Sequence, residues 1–190
     1  WLFEHGRGFP VGKALIPTVP CAVIFDLFAN STDATQPVVD YRELGRIACE
    51  QSSQKFLLGN AGAGRGAVAG ELKGGTGSAS LFDSENDYMV GAIAVVNSAG
   101  SPVVPGSSVL WASPFEQQNG LGGQVTLKHP DNLEPHFPRN LGPAAHTTLV
   151  AIATDAPLTL NQTKRLAIMG QDGLARAIRP VHAPQDGDTV

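Results

Sequence analysis

Three apolar runs of strand length punctuate this chain, at residues 21–27, 89–96 and 147–154. Each is nearly continuous rather than alternating, a pattern that predicts strands buried in a core. The third, Thr147-Thr-Leu-Val-Ala-Ile-Ala-Thr154, adds β-branched residues that suit a pleated sheet. Helical spacing takes over at residues 40–51, where Leu44, Ile47 and Ala48 share one face. It returns at residues 160–179, where Leu166, Met169, Leu174 and Ile178 oppose Lys164, Arg165, Arg176 and Arg179. Gly170 and Gly173 weaken that second helix from within. Residues 1–8 read as the end of a helix, with Gly6 and Gly8 as C-cap positions, and residues 12–20 as an extended loop. A turn at 99–102 leads to Val103-Val104. Beyond it, residues 105–145 form a long polar stretch rich in Pro and Gly, of the kind that is commonly functional. Strands alternating with helices predict an α/β fold in one domain.

Composition narrows the field. The chain has 190 residues, 42% hydrophobic and 16% charged, with a net charge of −4, which is ordinary for a globular domain. No basic cluster offers a footprint for nucleic acid, and no apolar run nears the roughly 20 residues that span a bilayer. Cys21 and Cys49 lack metal-ligand spacing and are expected as buried free thiols. Without a basic, apolar leader at Trp1-Leu2-Phe3, a cytoplasmic location is expected. Residues 1–5 and 188–190 both read as elements cut short, so the chain is expected to lack its two ends.

Three features bear chemistry. His146-Thr147-Thr148 sits where the long polar stretch meets a core strand. A hydroxyl there is held by the strand, while the residues before it could swing away, as an N-terminal nucleophile requires. A plain strand start would also place Thr here. Asp186-Gly187-Asp188-Thr189 sets two carboxylates one glycine apart, able to orient an ammonium or hydroxyl group, although Asp-Gly is also a common turn. The glycine-rich region including Gly62 and Gly64, followed by Lys73, lacks both phosphate-loop patterns. Its glycines would instead let backbone amides approach a substrate carbonyl, with Asn97 adding a side-chain donor.

Together these segments resemble the DmpA/NylC family of self-processing aminopeptidases and nylon-oligomer hydrolases. The stretches that carry the likeness are Gly6-Arg-Gly-Phe-Pro-Val-Gly12, residues 17–27, Gly59-Asn-Ala-Gly-Ala-Gly64, Lys73-Gly-Gly-Thr-Gly-Ser-Ala-Ser80, Val95-Val-Asn97, residues 147–156 and Asp186-Gly-Asp-Thr189. The resemblance implies a four-layer α-β-β-α sandwich of the N-terminal-nucleophile-hydrolase type. It implies cleavage between His146 and Thr147 into a larger part (1–146) and a smaller part (147–190), which stay associated. Thr147 would be the nucleophile, Asp186 and Asp188 would orient it, and Asn97 would stabilise the oxyanion. Gly62, Gly64, Lys73 and Thr148 would contact a small amide or peptide substrate, without cofactor or metal. Assembly as a homo-tetramer or larger is implied as well.

The chain departs from the family pattern at two positions: His146 stands where the nylon-hydrolase branch has Asn, and Glu71 where a pocket lysine is usual. The Thr pair and Asp-Gly-Asp-Thr favour that branch over Ser-type aminopeptidases. Acyl transfer of the ornithine acetyltransferase kind, or an unprocessed binding protein, are the alternatives.

Overall fold

The computed structural model describes residues 1–26, 39–123 and 146–190. In chain order it has a hairpin of β1 (Phe9–Val11) and β2 (Ala14–Ile16), helix α1 (Tyr41–Glu50), and a second hairpin of β3 (Val68–Ala69) and β4 (Leu72–Lys73). Three longer strands follow, β5 (Gly75–Asp83), β6 (Tyr88–Asn97) and β7 (Thr147–Thr154), then helix α2 (Leu160–Ala177).

The three long strands form one antiparallel sheet with β6 at its centre. Two of them are the apolar runs expected from the sequence. β5 is not: apart from Thr76, its first six residues are Gly, Ser and Ala, which have little strand preference of their own. Pairing decides the matter, because every residue from Gly75 to Asp83 has a partner on β6. The connecting turn is closed by the Asp83 carboxylate, which accepts the Glu85 amide at 3.0 Å.

Helix α2 covers one face of this sheet. Its start is secured by a capping box, in which Thr159 and Gln162 each bond the other's backbone. The helix runs unbroken through Gly170 and Gly173, contrary to the weakness expected there. The reason at Gly170 is contact: a Cβ would lie 2.6 Å from Ile152 Cδ1 and 2.7 Å from Val190 Cγ1. Strand alternation puts Thr148, Val150 and Ile152 on this covered face. Thr147, Leu149, Ala151 and Ala153 are on the other face, together with Ile93, which pairs with Ala151 and is 37% exposed. Ala151 and Ala153 on that second face are exposed, while Thr147 at its end is enclosed.

Other expectations need correction. Residues 21–26 form no strand and are mostly exposed, because no described strand pairs with them; Leu27 lies outside the described residues. Residues 14–16 are strand rather than loop, since Gly12 at φ +59 makes the two-residue turn that folds β2 back on β1. Gly6 does cap the first turn: at φ +65 it lets Arg7 N–H reach Leu2 O at 2.8 Å. Gly8 instead allows close approach, its absent Cβ being 2.8 Å from the backbone of Ile16. Helix α1 forms as expected behind its Asp40 cap, yet Leu44 is 52% exposed and no α1 residue is buried. Cys21 and Cys49 are free, but neither is buried. No helix among the described residues is long and apolar enough to cross a membrane.

The long polar stretch is anchored where it is described. Ser101 and Arg179 exchange backbone hydrogen bonds of 2.9 and 3.0 Å, and the Arg179 guanidinium stacks 4.4 Å from the Trp111 ring. Arg176 lies over Phe115 in the same way. Residues 124–145 lie outside the described residues. The Ser101–Arg179 junction is tight: a Cβ at Gly100 would sit 1.9 Å from Pro180 O. Gly100→Ala is therefore expected to lower stability by about 1–3 kcal/mol. Gly77→Ala, which meets nothing within 4 Å, should change it by less than about 0.5 kcal/mol. Denaturant midpoints of the two variants provide the check.

Candidate active site

The ends of β6 and β7 meet at a buried polar corner. Asn97, the last residue of β6, pairs with Thr147, the first of β7. Asn97, Ser98, His146, Thr147 and Thr148 are each 5% exposed or less. Polar groups so far from water must find partners inside the protein. The segment after α2 supplies many of them.

Residues 186–189 lie parallel to the start of β7, with Asp186 beside His146 and Thr189 beside Leu149. Gly187 N–H donates to His146 O at 2.7 Å, Thr189 N–H to Thr148 O at 2.9 Å, and Val150 N–H to Thr189 O at 2.8 Å. This ladder aims one residue of the segment at Thr147. That residue is Gly187, whose absent Cβ would lie 2.8 Å from Thr147 Oγ1. The space a side chain would have filled is occupied by the threonine hydroxyl. Thr147 Oγ1 in turn donates to the carbonyl oxygen of His146 at 2.7 Å.

The two aspartates bracket this arrangement. Asp186 accepts from Ala99 N at 3.2 Å with one oxygen and from Ala183 N at 3.1 Å with the other. Asp188 accepts the Thr148 amide at 2.8 Å through Oδ1, while Oδ2 faces the Nδ1 of His182 at 2.9 Å. These contacts go to amides and an imidazole rather than to Thr147 Oγ1. Asp188 thus holds the peptide that follows Thr147, while Asp186 ties the turn after β6 to the loop after α2. His146 is not poised to swing away: it is fully buried and its carbonyl lies in the ladder.

Asn97 is fixed from the opposite side. Its Oδ1 accepts the Val68 amide at 3.0 Å, and its Nδ2 donates to Phe25 O at 3.5 Å. The β3–β4 hairpin is pressed onto the end of β6, because a Cβ at Gly74 would lie 2.1 Å from Val96 O. Lys73, next to Gly74, is exposed, as is Glu71 in the turn of that hairpin. Gly62 and Gly64 form a short 3-10 turn, and a Cβ at Gly64 would be 2.5 Å from the Thr76 amide nitrogen. Gly64 N–H donates to Ala61 O, so that amide is already engaged. Thr148, expected to touch substrate, points toward α2 and away from Thr147's face of the sheet. Among the described residues, no group of three or more His, Cys, Asp or Glu is placed to hold a metal ion.

Two participants escaped the sequence reading. Gly187 was legible only as a spacer between carboxylates, and His182 stands six residues before Asp188 in an unremarkable loop. Neither spacing marks a contact that only the folded loop creates.

The model of peptidase family S58 matches residues 10–190. The chain belongs to this family. Within it, an uncharacterised aminopeptidase of Mycobacterium bovis is 38% identical over 197 residues, covering 100% of this chain and 54% of the relative. A 6-aminohexanoate-oligomer endohydrolase of Paenarthrobacter ureafaciens is 29% identical over 192 residues, 98% of this chain and 51% of that protein. The chain spans about half the length of the curated relatives it matches.

Solved structures agree on the fold. A protein of Pyrococcus horikoshii superposes with a TM-score of 0.52 at 30% identity, over 77% of this chain and 35% of that one. The L-aminopeptidase D-Ala-esterase/amidase of Ochrobactrum anthropi, described as a variant of the Ntn hydrolase fold, gives 0.50 at 26% identity, over 75% and 34%. The expected α/β fold of the N-terminal-nucleophile type is thereby established, with α2 and the β5-β6-β7 sheet as two of its layers.

Asn97→Ala should strand the Val68 amide in a buried setting and cost about 1–3 kcal/mol. Chemical denaturation measures this directly, and an unchanged midpoint would mean that the Val68 contact contributes nothing.

Proposed function

We propose that this S58 chain is the catalytic part of an amide hydrolase that cuts itself between His146 and Thr147 and then uses Thr147 as its nucleophile. One observation carries the reading: Thr147 Oγ1 and Gly187 N–H both donate to the carbonyl oxygen of His146, each at 2.7 Å. A carbonyl in that position is polarised from two sides, with a hydroxyl beside it.

The chemistry follows from the atoms. Thr147 Oγ adds to the His146 carbonyl carbon and gives up its proton. Negative charge gathers on the carbonyl oxygen, where Gly187 N–H already points. The C–N bond breaks, the nitrogen takes up the proton, and an ester replaces the amide. Water then cleaves the ester, leaving a His146 carboxylate and a Thr147 with a free α-amine. That amine serves as base for the hydroxyl in later acyl transfers, a known way to activate threonine. The products would be parts 1–146 and 147–190, which the β6–β7 pairing and the Ser101–Arg179 junction continue to join.

Each remaining residue has a place in this scheme. Asp188 holds the peptide group after the nucleophile, Asp186 fastens the loop that carries Gly187, and both set negative charge near the emerging ammonium. Asn97, opposite Thr147, would exchange its long 3.5 Å contact with Phe25 O for the oxyanion of an incoming substrate. Lys73 stands on the hairpin pressed against the end of β6, where a substrate's far end would lie; Gly62 and Gly64 hold the neighbouring turn.

As for substrate, the 38% identity to a protein called an aminopeptidase favours peptide N-termini. The 29% identity to an oligomer endohydrolase, with the Thr pair and Asp-Gly-Asp-Thr, keeps linear aminohexanoate amides as the second class. Comparing hydrolysis of an aminoacyl p-nitroanilide with that of an aminohexanoate oligomer separates them.

Denaturing mass spectrometry of the full-length protein tests the central claim. The expected result is two fragments, the smaller beginning at Thr147. Thr147→Ala should leave one intact polypeptide without activity; processing in that variant would reassign the nucleophile. Gly187→Ala, which drives a methyl group into Thr147 Oγ1, should slow self-cleavage by about tenfold or more. Asp188→Ala should lower turnover by about 100-fold or more, read from initial rates on whichever substrate is accepted.

A further inference from the structure

His182 does not belong to any motif noted in the sequence, yet three observations converge on it. Its backbone is left-handed, at φ +53, an uncommon region for a residue with a side chain, although His enters it more often than most. The loop that holds it there is tied at its base, where Asp186 N–H donates to Ala183 O and Ala183 N–H donates back to Asp186 Oδ2. Within that loop, both donors of His182 turn on a single atom. Nδ1 lies 2.9 Å and the amide 3.3 Å from Asp188 Oδ2.

The target is a carboxylate whose side chain is 3% exposed, against 38% for the imidazole. A buried carboxylate needs hydrogen bonds on both oxygens, or its charge is left without compensation. Oδ1 has the Thr148 amide at 2.8 Å. Oδ2 has His182, and without the imidazole it keeps only the longer amide contact. The Thr148 amide belongs to the peptide that joins Thr147 to Thr148, so the angle of the Asp188 carboxylate sets the angle of the nucleophile's own backbone. A hydrogen bond made from the loop thus has a consequence at the hydroxyl. The ionisable groups around the imidazole are Asp188, which it touches, and Asp186 at the base of its loop.

We propose that His182 is a positioning residue: its Nδ1–H locks the Asp188 carboxylate, which locks the Thr147–Thr148 peptide for attack. The inference rests on the self-cleavage reading above and extends it to a residue that touches neither scissile bond nor substrate. Donation comes from Nδ1, so the amide of Asn, which can overlie Nδ1, can replace it. The amide of Gln, which overlies Nε2, cannot.

The test uses the full-length protein and follows self-cleavage over time by denaturing mass spectrometry, with wild type and Thr147→Ala alongside. His182→Ala and His182→Gln are expected to process about tenfold or more slowly. His182→Asn should remain within about threefold of wild type, because it restores the donor and tolerates the left-handed backbone. Asn and Gln are both neutral and polar, so a purely space-filling role would not separate them in that order. Equal rates for all three variants, or rescue by Gln and not by Asn, overturn the assignment. If wild type cuts and Thr147→Ala does not, such a result bears on His182 alone. If wild type does not cut, the self-cleavage reading fails first and this inference with it.

Discussion

A short parallel ladder, four residues long on each side, is the constraint on which the site depends. It ties residues 146–149 to residues 186–189 through backbone hydrogen bonds of 2.7–2.9 Å. Side chains alone would leave a threonine hydroxyl free to rotate among its staggered positions. Here the ladder fixes the peptide on each side of Thr147 and brings a glycine against its Oγ. The hydroxyl has one small space to occupy, and that space borders its own preceding carbonyl.

Support for the ladder comes from parts of the chain far apart in sequence. α2 packs on the covered face of the sheet and leads directly to the 178–189 segment, so its register against Ile152 sets where Asp186 falls. The 99–101 turn grips the same segment from the β6 side, through Ala99 N–H on Asp186 and the Ser101–Arg179 exchange. The two ends of the site-forming strands are thus fastened before any substrate arrives. On the other face Ala151 and Ala153 are exposed and Ile93 is 37% exposed, whereas Thr147 at its end is enclosed.

Much of this was legible in the amino-acid sequence, and the misses share one cause. β6 and β7 announce themselves by continuous apolar runs, and α2 by its apolar periodicity. β5 could not be read, since Gly75-Thr-Gly-Ser is strand only because β6 pairs with it. Residues 21–26 failed in the opposite direction, being apolar enough for a strand but lacking a described neighbour. At the site, Thr147, Asn97 and the Asp-Gly-Asp motif were found by residue type and by resemblance to a family, and the fold places them at one corner. The sequence reading assigned the hydroxyl to the carboxylates as their partner, whereas they hold amides. It treated Gly187 as a spacer, and it passed over His182. Those are properties of direction, which depends on the loop's path and not on residue identity. Thr148 shows the same limit: adjacency in sequence placed it beside Thr147, and strand alternation sends it to the opposite face.

Consider the amide of Gly187 once the peptide ahead of Thr147 is gone. On the proposed reading, the donor that steadied the chain's own carbonyl would then be released to meet another acceptor. Were His146 then to withdraw, it would vacate the volume that its wholly enclosed side chain fills. Maturation would therefore mould its own receptor. The vacated seat has the outline of an acyl group, one hydrogen bond waiting at its oxygen and a nucleophile at its carbon, so each later guest sits where the protein's own backbone once lay.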